Sequence, residues 1–161
     1  MTDEVTVNDD GQEVWRLTAG TWAELQRQTA SELDYFGPVG DWLEGKGKPR
    51  RVLTGHAAQA AVTRALGGFR PPSIIVRETE VPSGQLVIRE VDPDDFAIVQ
   101  AIVRRSGPIE ATAFTMLGWN LASERGRGRR LAGEPRADLM PRSTLRPFPE
   151  LRELVRRGEF R

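Results

Sequence analysis

Two neighbouring stretches, FAIVQAIVRR (96–105) and IEATAFTMLGW (109–119), constrain the fold more than anything else in the chain. Successive side chains of a strand point to opposite faces. In the first stretch Phe96, Ile98 and Ile102 share one parity, and Val99, Ala101 and Val103 share the other. A strand that is apolar on both parities needs cover on both sides, so this pair belongs at the centre of a sheet. Ser106-Gly107-Pro108 supplies the turn of a hairpin between them.

The segments on either side extend that sheet. SIIVRETEV (73–81) and QLVIREV (85–91), joined through Pro82-Ser83-Gly84, read as a second hairpin, and Asp92-Pro93-Asp94-Asp95 turns into the central pair. Both strands mix charge on both parities, so pattern does not set their register. EVTVN (4–8) and QEVWRLT (12–18), around Asp9-Asp10-Gly11, read as a short hairpin at the N-terminus. Consecutive strands with short turns favour an antiparallel meander.

Two helices accompany the strands. Thr21 and Glu24 have capping-box spacing, and Trp22, Leu25, Thr29, Leu33 and Phe36 follow on one helical face until Gly37-Pro38. Residues 37–51 read as a loop, with four glycines and two prolines. Thr54 is placed to cap a second, alanine-rich helix over 55–66, which Gly67-Gly68 stops. Such a helix packs closely on a flat surface.

Beyond Trp119 the periodicity dissolves into ASERGRGRRLAGEPRADLMPRSTLRPFP, which glycine and proline keep from forming a long helix or a central strand. PELRELVRRG then reads as a short helix, 149–157, with an apolar face of Leu151, Leu154 and Val155. A helix this short is not stable alone, so that face must dock. The expected architecture is α+β. Residues 1–123 form one domain, an antiparallel sheet of four to six strands with two helices packed on it. Residues 124–161 form an extended Arg/Gly/Pro-rich C-terminal arm that ends in the short helix.

Composition narrows function. With 161 residues and 39% hydrophobic content the chain can bury a core, and the absence of cysteine excludes disulfides, thiol nucleophiles and cysteine metal sites. The acidic start MTDEVTVNDDGQEVW has no apolar run, and no stretch nears the ~18 apolar residues of a membrane span. The expected setting is the cytoplasm, without a membrane partner. Net charge is zero but unevenly spread: residues 1–48 carry ten acids against four bases, and residues 124–161 carry six acids against eleven arginines. A basic tail suits an acidic protein surface, a nucleic acid, or the acidic half of a second copy.

Among the motifs, Gly40 to Gly47 resembles a phosphate loop but lacks the closing Ser/Thr, follows a helix rather than a strand, and is cut short by Pro49. His56, the lone histidine, sits at a helix start, where a neutral imidazole can act as a base. It is the one catalytic candidate, at the mouth of a pocket between helix and sheet. Glu78 and Glu80 share a strand face, the pattern of a carboxylate pair or of a solvated surface. No metal or cofactor is expected. Trp42, in the glycine-rich loop, is the tryptophan placed to meet a partner. In RGRGRR, Arg125, Arg127, Arg129 and Arg130 carry the charge of the arm, and Leu151, Leu154 and Val155 are its apolar anchors. The leading expectation is a non-enzymatic accessory or assembly protein that joins protein partners, or copies of itself, through this arm. Nucleic-acid binding by the same arginines and a small enzyme or ligand binder built on His56 are the alternatives.

Overall fold

A computed structural model describes residues 2–32, 48–105, 107–132 and 136–161. The chain is α+β, with eight strands and three helices among these residues. The N-terminal hairpin forms as its turn predicts: β1 (Glu4–Val7) and β2 (Glu13–Arg16) pair antiparallel, with Gly11 at φ 77°. Helix α1 (Ala19–Glu32) starts earlier than the Thr21 reading predicts. Thr18 caps it, its Oγ1 accepting the Thr21 amide at 3.1 Å. Trp22, Leu25 and Thr29 are buried as expected; Leu33 and Phe36 lie outside the described residues.

Helix α2 (Lys48–Ala65) is a turn and a half longer than expected. Pro49 falls in its first turn, where a missing amide costs nothing. Thr54 is therefore inside the helix, and its hydroxyl donates back to the Arg50 carbonyl at 2.8 Å instead of capping. Gly67 and Gly68, both at φ 105°, end the helix. Ala57, Ala58, Ala61 and Ala65 are all buried, so α2 lies close on the sheet.

The main sheet has five strands in the order β1-β2-β6-β5-β3, with β3 Ile74–Thr79, β5 Ala97–Arg104 and β6 Ala113–Leu121. The two doubly apolar stretches, β5 and β6, are interior strands, as their pattern requires. The sheet is mixed rather than wholly antiparallel. β3 runs parallel to β5, from Ile74 opposite Ala97 to Thr79 opposite Ile102. The expected 73–91 hairpin does not form, because β4 (Leu86–Arg89) leaves the sheet and starts a second one. Leu86 and Ile88 share one face of β4 and are fully buried, so they pack down onto the main sheet rather than beside it.

The C-terminal stretch completes that second sheet. β8 (Ala137–Met140) pairs with β4 and β7 (Arg129–Leu131) pairs with β8, both antiparallel. Helix α3 (Phe148–Arg156) follows. The molecule is thus layered. α1, α2 and α3 cover one face of the main sheet around Phe114, Met116 and Trp119. The small sheet covers the other face around Ile98, Met140 and Ala122. Cover on both sides explains why β5 is apolar on both parities. Gly118, at φ 146°, lets the returning chain cross β6: a Cβ there would lie 2.7 Å from the Arg146 carbonyl oxygen.

Candidate functional site

The four arginines of RGRGRR do two different jobs. Residues Ala122–Arg127 form a 3-10 turn, and within it Glu124 is buried. Its carboxylate accepts the Leu121 amide at 3.1 Å, Arg127 Nη1 at 3.1 Å and Arg146 Nε at 2.9 Å. Arg125 reaches the turn between β4 and β5, donating to Asp94 at 2.7 Å and to the Arg89 and Asp92 carbonyls. These two guanidiniums hold the chain to itself. Gly128 makes the next crossing possible, since a Cβ there would meet the Leu139 carbonyl oxygen at 2.7 Å. Arg129 and Arg130 then emerge on β7, exposed and without an ion pair among the described residues.

The anchor residues of the arm are placed inside the molecule. Leu151 is 0% exposed, and Leu154 and Val155 pack partly buried against the helix-side core. The Trp119 indole donates to the Pro147 carbonyl at 3.1 Å, and Arg152 bridges from α3 to the Ala65 carbonyl, at 2.7 Å, and to the Glu13 carboxylate. Burial raises the pKa of Glu13, and the hydrogen bonds from Arg152 and Trp15 outweigh it, so the net shift is downward. The apolar face that sequence required to dock therefore docks on its own chain. Trp42 lies outside the described residues.

Four strands end the two sheets, β1 and β3 the main one and β4 and β7 the small one; β1 and β7 are the more exposed, and they differ in charge. β1 ends the main sheet and is exposed along its whole length, with Val5 at 45% and Val7 at 66%. The hairpin that contains it, residues 2–18, carries five carboxylates and one arginine. The Asn8 amide bonds the Gln12 carbonyl across the hairpin, at 3.0 Å. Alternation then turns the main-chain groups of Thr6 and Glu4 inward and those of Val5 and Val7 outward. β7 ends the small sheet and carries Arg129 and Arg130. The Glu90 amide donates to the Arg136 carbonyl, so by the same alternation the Arg130 main chain faces outward.

A cavity of about 620 Å³ opens on the small-sheet side. The small sheet covers Ile98 of β5 but stops short of Ile102 and Arg104. Ile102 and its partner on β6, Thr115, form the floor. The hairpin turn with Asn8 and Asp10 makes one wall; Pro82 and Arg142 make the wall on the β3 side. The Arg105–Glu80 ion pair stands at the end nearest α2, where Arg105 also donates to Thr54 Oγ1 at 3.3 Å.

His56 does not line this cavity. Its Nε2 lies 2.8 Å from Glu32 Oε2, a contact between α2 and α1. Glu80 is taken by Arg105, while Glu78 faces α2 beside Gly55, so the two carboxylates are not joined in a shared acid–base pair. Among the described residues no group of three or more metal-ligating side chains comes together, and no helix is long and apolar enough to cross a membrane. Sequence reading missed Val5 and Val7 as an open edge, although EVTV has neither the lysine nor the proline that guards such edges. It also missed Arg104, Thr115 and Arg142, which no local pattern marks, because they meet only through the topology. No family model, no curated protein and no solved structure matches the chain.

Proposed function

We propose that the protein is a non-enzymatic assembly protein that joins copies of itself, the acidic edge β1 of one copy adding to the basic edge β7 of the next. One observation carries the reading: the most exposed edge strand of each sheet, β1 in the main one and β7 in the small one, has the opposite charge to the other. Open edges pair readily with other strands. Pairing β1 with a second β1 sets one acidic hairpin against another, whereas pairing β1 with β7 sets Glu4, Asp9 and Asp10 near Arg129 and Arg130. Opposite charges placed across strands stabilise, and like charges destabilise. The contact is heterologous, so it closes into a ring or propagates.

The short strands make the contact weak and dependent on salt. Light scattering at about 50 mM salt is expected to give a mass above the 18.0 kDa of one chain, falling toward it as salt rises. Val7→Pro removes an outward amide without touching the ladder to β2, and is expected to leave a monomer. Glu4→Arg and the double variant Arg129→Glu, Arg130→Glu are each expected to be monomeric alone and to associate when mixed. A monomer at every concentration, or a Val7→Pro variant that still assembles, defeats the reading.

Nucleic-acid binding is the second reading, favoured by the same two arginines, which have no ion pair among the described residues. It predicts binding of random oligonucleotides, with a salt slope that falls by about 2 when Arg129 and Arg130 become glutamine.

A further inference from the structure

We infer that the cavity on the small-sheet side is a binding site for a small organic anion, a carboxylate or a phosphate monoester with an apolar body. It does not rest on self-assembly: Arg104, Arg142, Thr115 and Ile102 belong to neither β1 nor β7, and Asp10 is shared with the assembly contact. Size is the first support: about 620 Å³ is the volume of sites that take metabolite-sized ligands. Charge is the second. Three guanidiniums line the cavity, from Arg104, Arg105 and Arg142. Glu80 neutralises Arg105. Arg104 and Arg142 have no carboxylate partner among the described residues, although thirteen ion pairs involve other residues of the chain. Two arginines without an acid partner among the described residues, sharing one recess with the single free carboxylate of Asp10, leave a net positive site.

Arg142 is also held in place. Its Nε and Nη2 donate to the Gly84 carbonyl, at 3.3 and 3.1 Å, and Nη2 also to the Pro82 carbonyl. Neutral carbonyls fix the guanidinium without cancelling its charge, and Nη1 makes no bond among the described residues. A cation immobilised beforehand loses little freedom on meeting an anion, which favours binding. Arg104 projects from β5 on the same face as Ile102, two residues away. The Thr115 hydroxyl, on the floor, has no hydrogen-bond partner among the described residues and can donate to an oxyanion. Ile102 and Pro82 offer an apolar surface beside these donors. Asp10 is the one uncompensated carboxylate and sits on the opposite wall, so it orients the anionic end toward Arg142.

The test uses the whole chain and three probes: phenyl phosphate, benzoate and inorganic phosphate. Amide shifts are followed in a titration, with affinity from calorimetry. Saturable shifts confined to residues 8–10, 102–105, 115 and 142 are expected with phenyl phosphate or benzoate, and whichever binds tighter names the head group. Inorganic phosphate is expected to bind at least about 10-fold more weakly, having no apolar body for Ile102 and Pro82. Arg142→Gln is expected to weaken binding about 10-fold or more. Because Arg142 also ties down the 82–84 loop, Arg104→Gln serves as a second variant: the Arg104 side chain makes no bond among the described residues, and the change is expected to weaken binding while leaving the melting temperature unchanged. Arg27→Gln, on α1 and outside the cavity, is expected to leave anion binding unchanged. No saturable shift with any probe, equal binding of inorganic phosphate, or full affinity in Arg104→Gln overturns the proposal.

Discussion

The two faces of the main sheet are closed by different physics. On the helix side the contact is continuous and apolar: Trp22, Leu53, four α2 alanines, Phe114 and Leu151 are all buried together. On the other side the buried core is five residues, Leu86, Ile88, Ile98, Ala122 and Met140, under strands of three or four residues. What the second face lacks in apolar area it makes up with charge. Arg77 grips both oxygens of the buried Asp92 at 2.7 Å, Asp92 also accepts the Arg89 amide at 2.8 Å, and Arg125 and Glu124 lock the next turns. Apolar burial is additive and tolerant of geometry, whereas a buried polar network is strong only when every member is satisfied. The first face therefore supplies most of the stability, and the second supplies shape, including the cavity and the exposed β7 edge.

The comparison can be broken most sharply in the helix-side core. Phe114→Ala is expected to cost about 3–5 kcal/mol in a urea titration and to unfold the chain in one transition. If the cost is below about 1 kcal/mol, the helix face is not the main source of stability. Ile88→Ala, in the smaller core, is expected to cost about 2–4 kcal/mol. Its signature is local: amides of 86–89 and 137–140 exchange faster while those of β5 and β6 stay protected. Equal loss of protection on both faces ends the distinction.

The arginines sharpen it further. Arg125→Gln removes a charged donor from three acceptors and is expected to cost about 1.5–3 kcal/mol. Arg130→Gln, five residues on and exposed, is expected to stay within about 0.5 kcal/mol. The smallest effect is one of pH. The folded pKa of Glu13 lies below its usual 4.5, so the unfolded chain takes up its proton first as pH falls. The stability contributed by the Arg152 contact is thus present above about 4.5 and fades as pH drops through the folded value. Glu13→Gln is expected to flatten that part of an acid titration; an unchanged slope places the acid sensitivity elsewhere.

What the sequence made legible follows the same division. Strand centrality was readable in 96–119, because two apolar parities leave no other solution, and the N-terminal turn was readable in Asp9-Asp10-Gly11. The short helix near the C-terminus was readable from Pro149 and the Leu151 face, as was its need to dock. The second sheet was not. β7 and β8 lie among glycines and prolines, are three and four residues long, and β8 joins them to β4, far away in sequence. Periodicity needs length, and strands of this size have too few alternations to show it. The parallel step from β3 to β5 was hidden for a related reason: Pro82-Ser83-Gly84 looks the same whether the chain returns within the sheet or leaves its plane. The cavity residues come from five separate segments, so no local window contains the site.

The pairing of β4 with β8 has a consequence for synthesis. Every strand of the main sheet has left the ribosome once residue 121 has emerged, and the helix-side layer can begin to close. β4 emerges long before its partner: Leu86 waits for Met140, and Arg89 for Ala137. Through that interval Leu86 and Ile88 are uncovered and one side of β5 faces water, a form of the chain open to mispairing and to chaperones. A nascent chain halted between residues 121 and 137 should bind a hydrophobic-surface dye strongly, and one released after residue 161, with β8 and α3 both in place, should not. The three-residue and four-residue strands that close the second face thus act as the latch of a fold whose larger half is already in place.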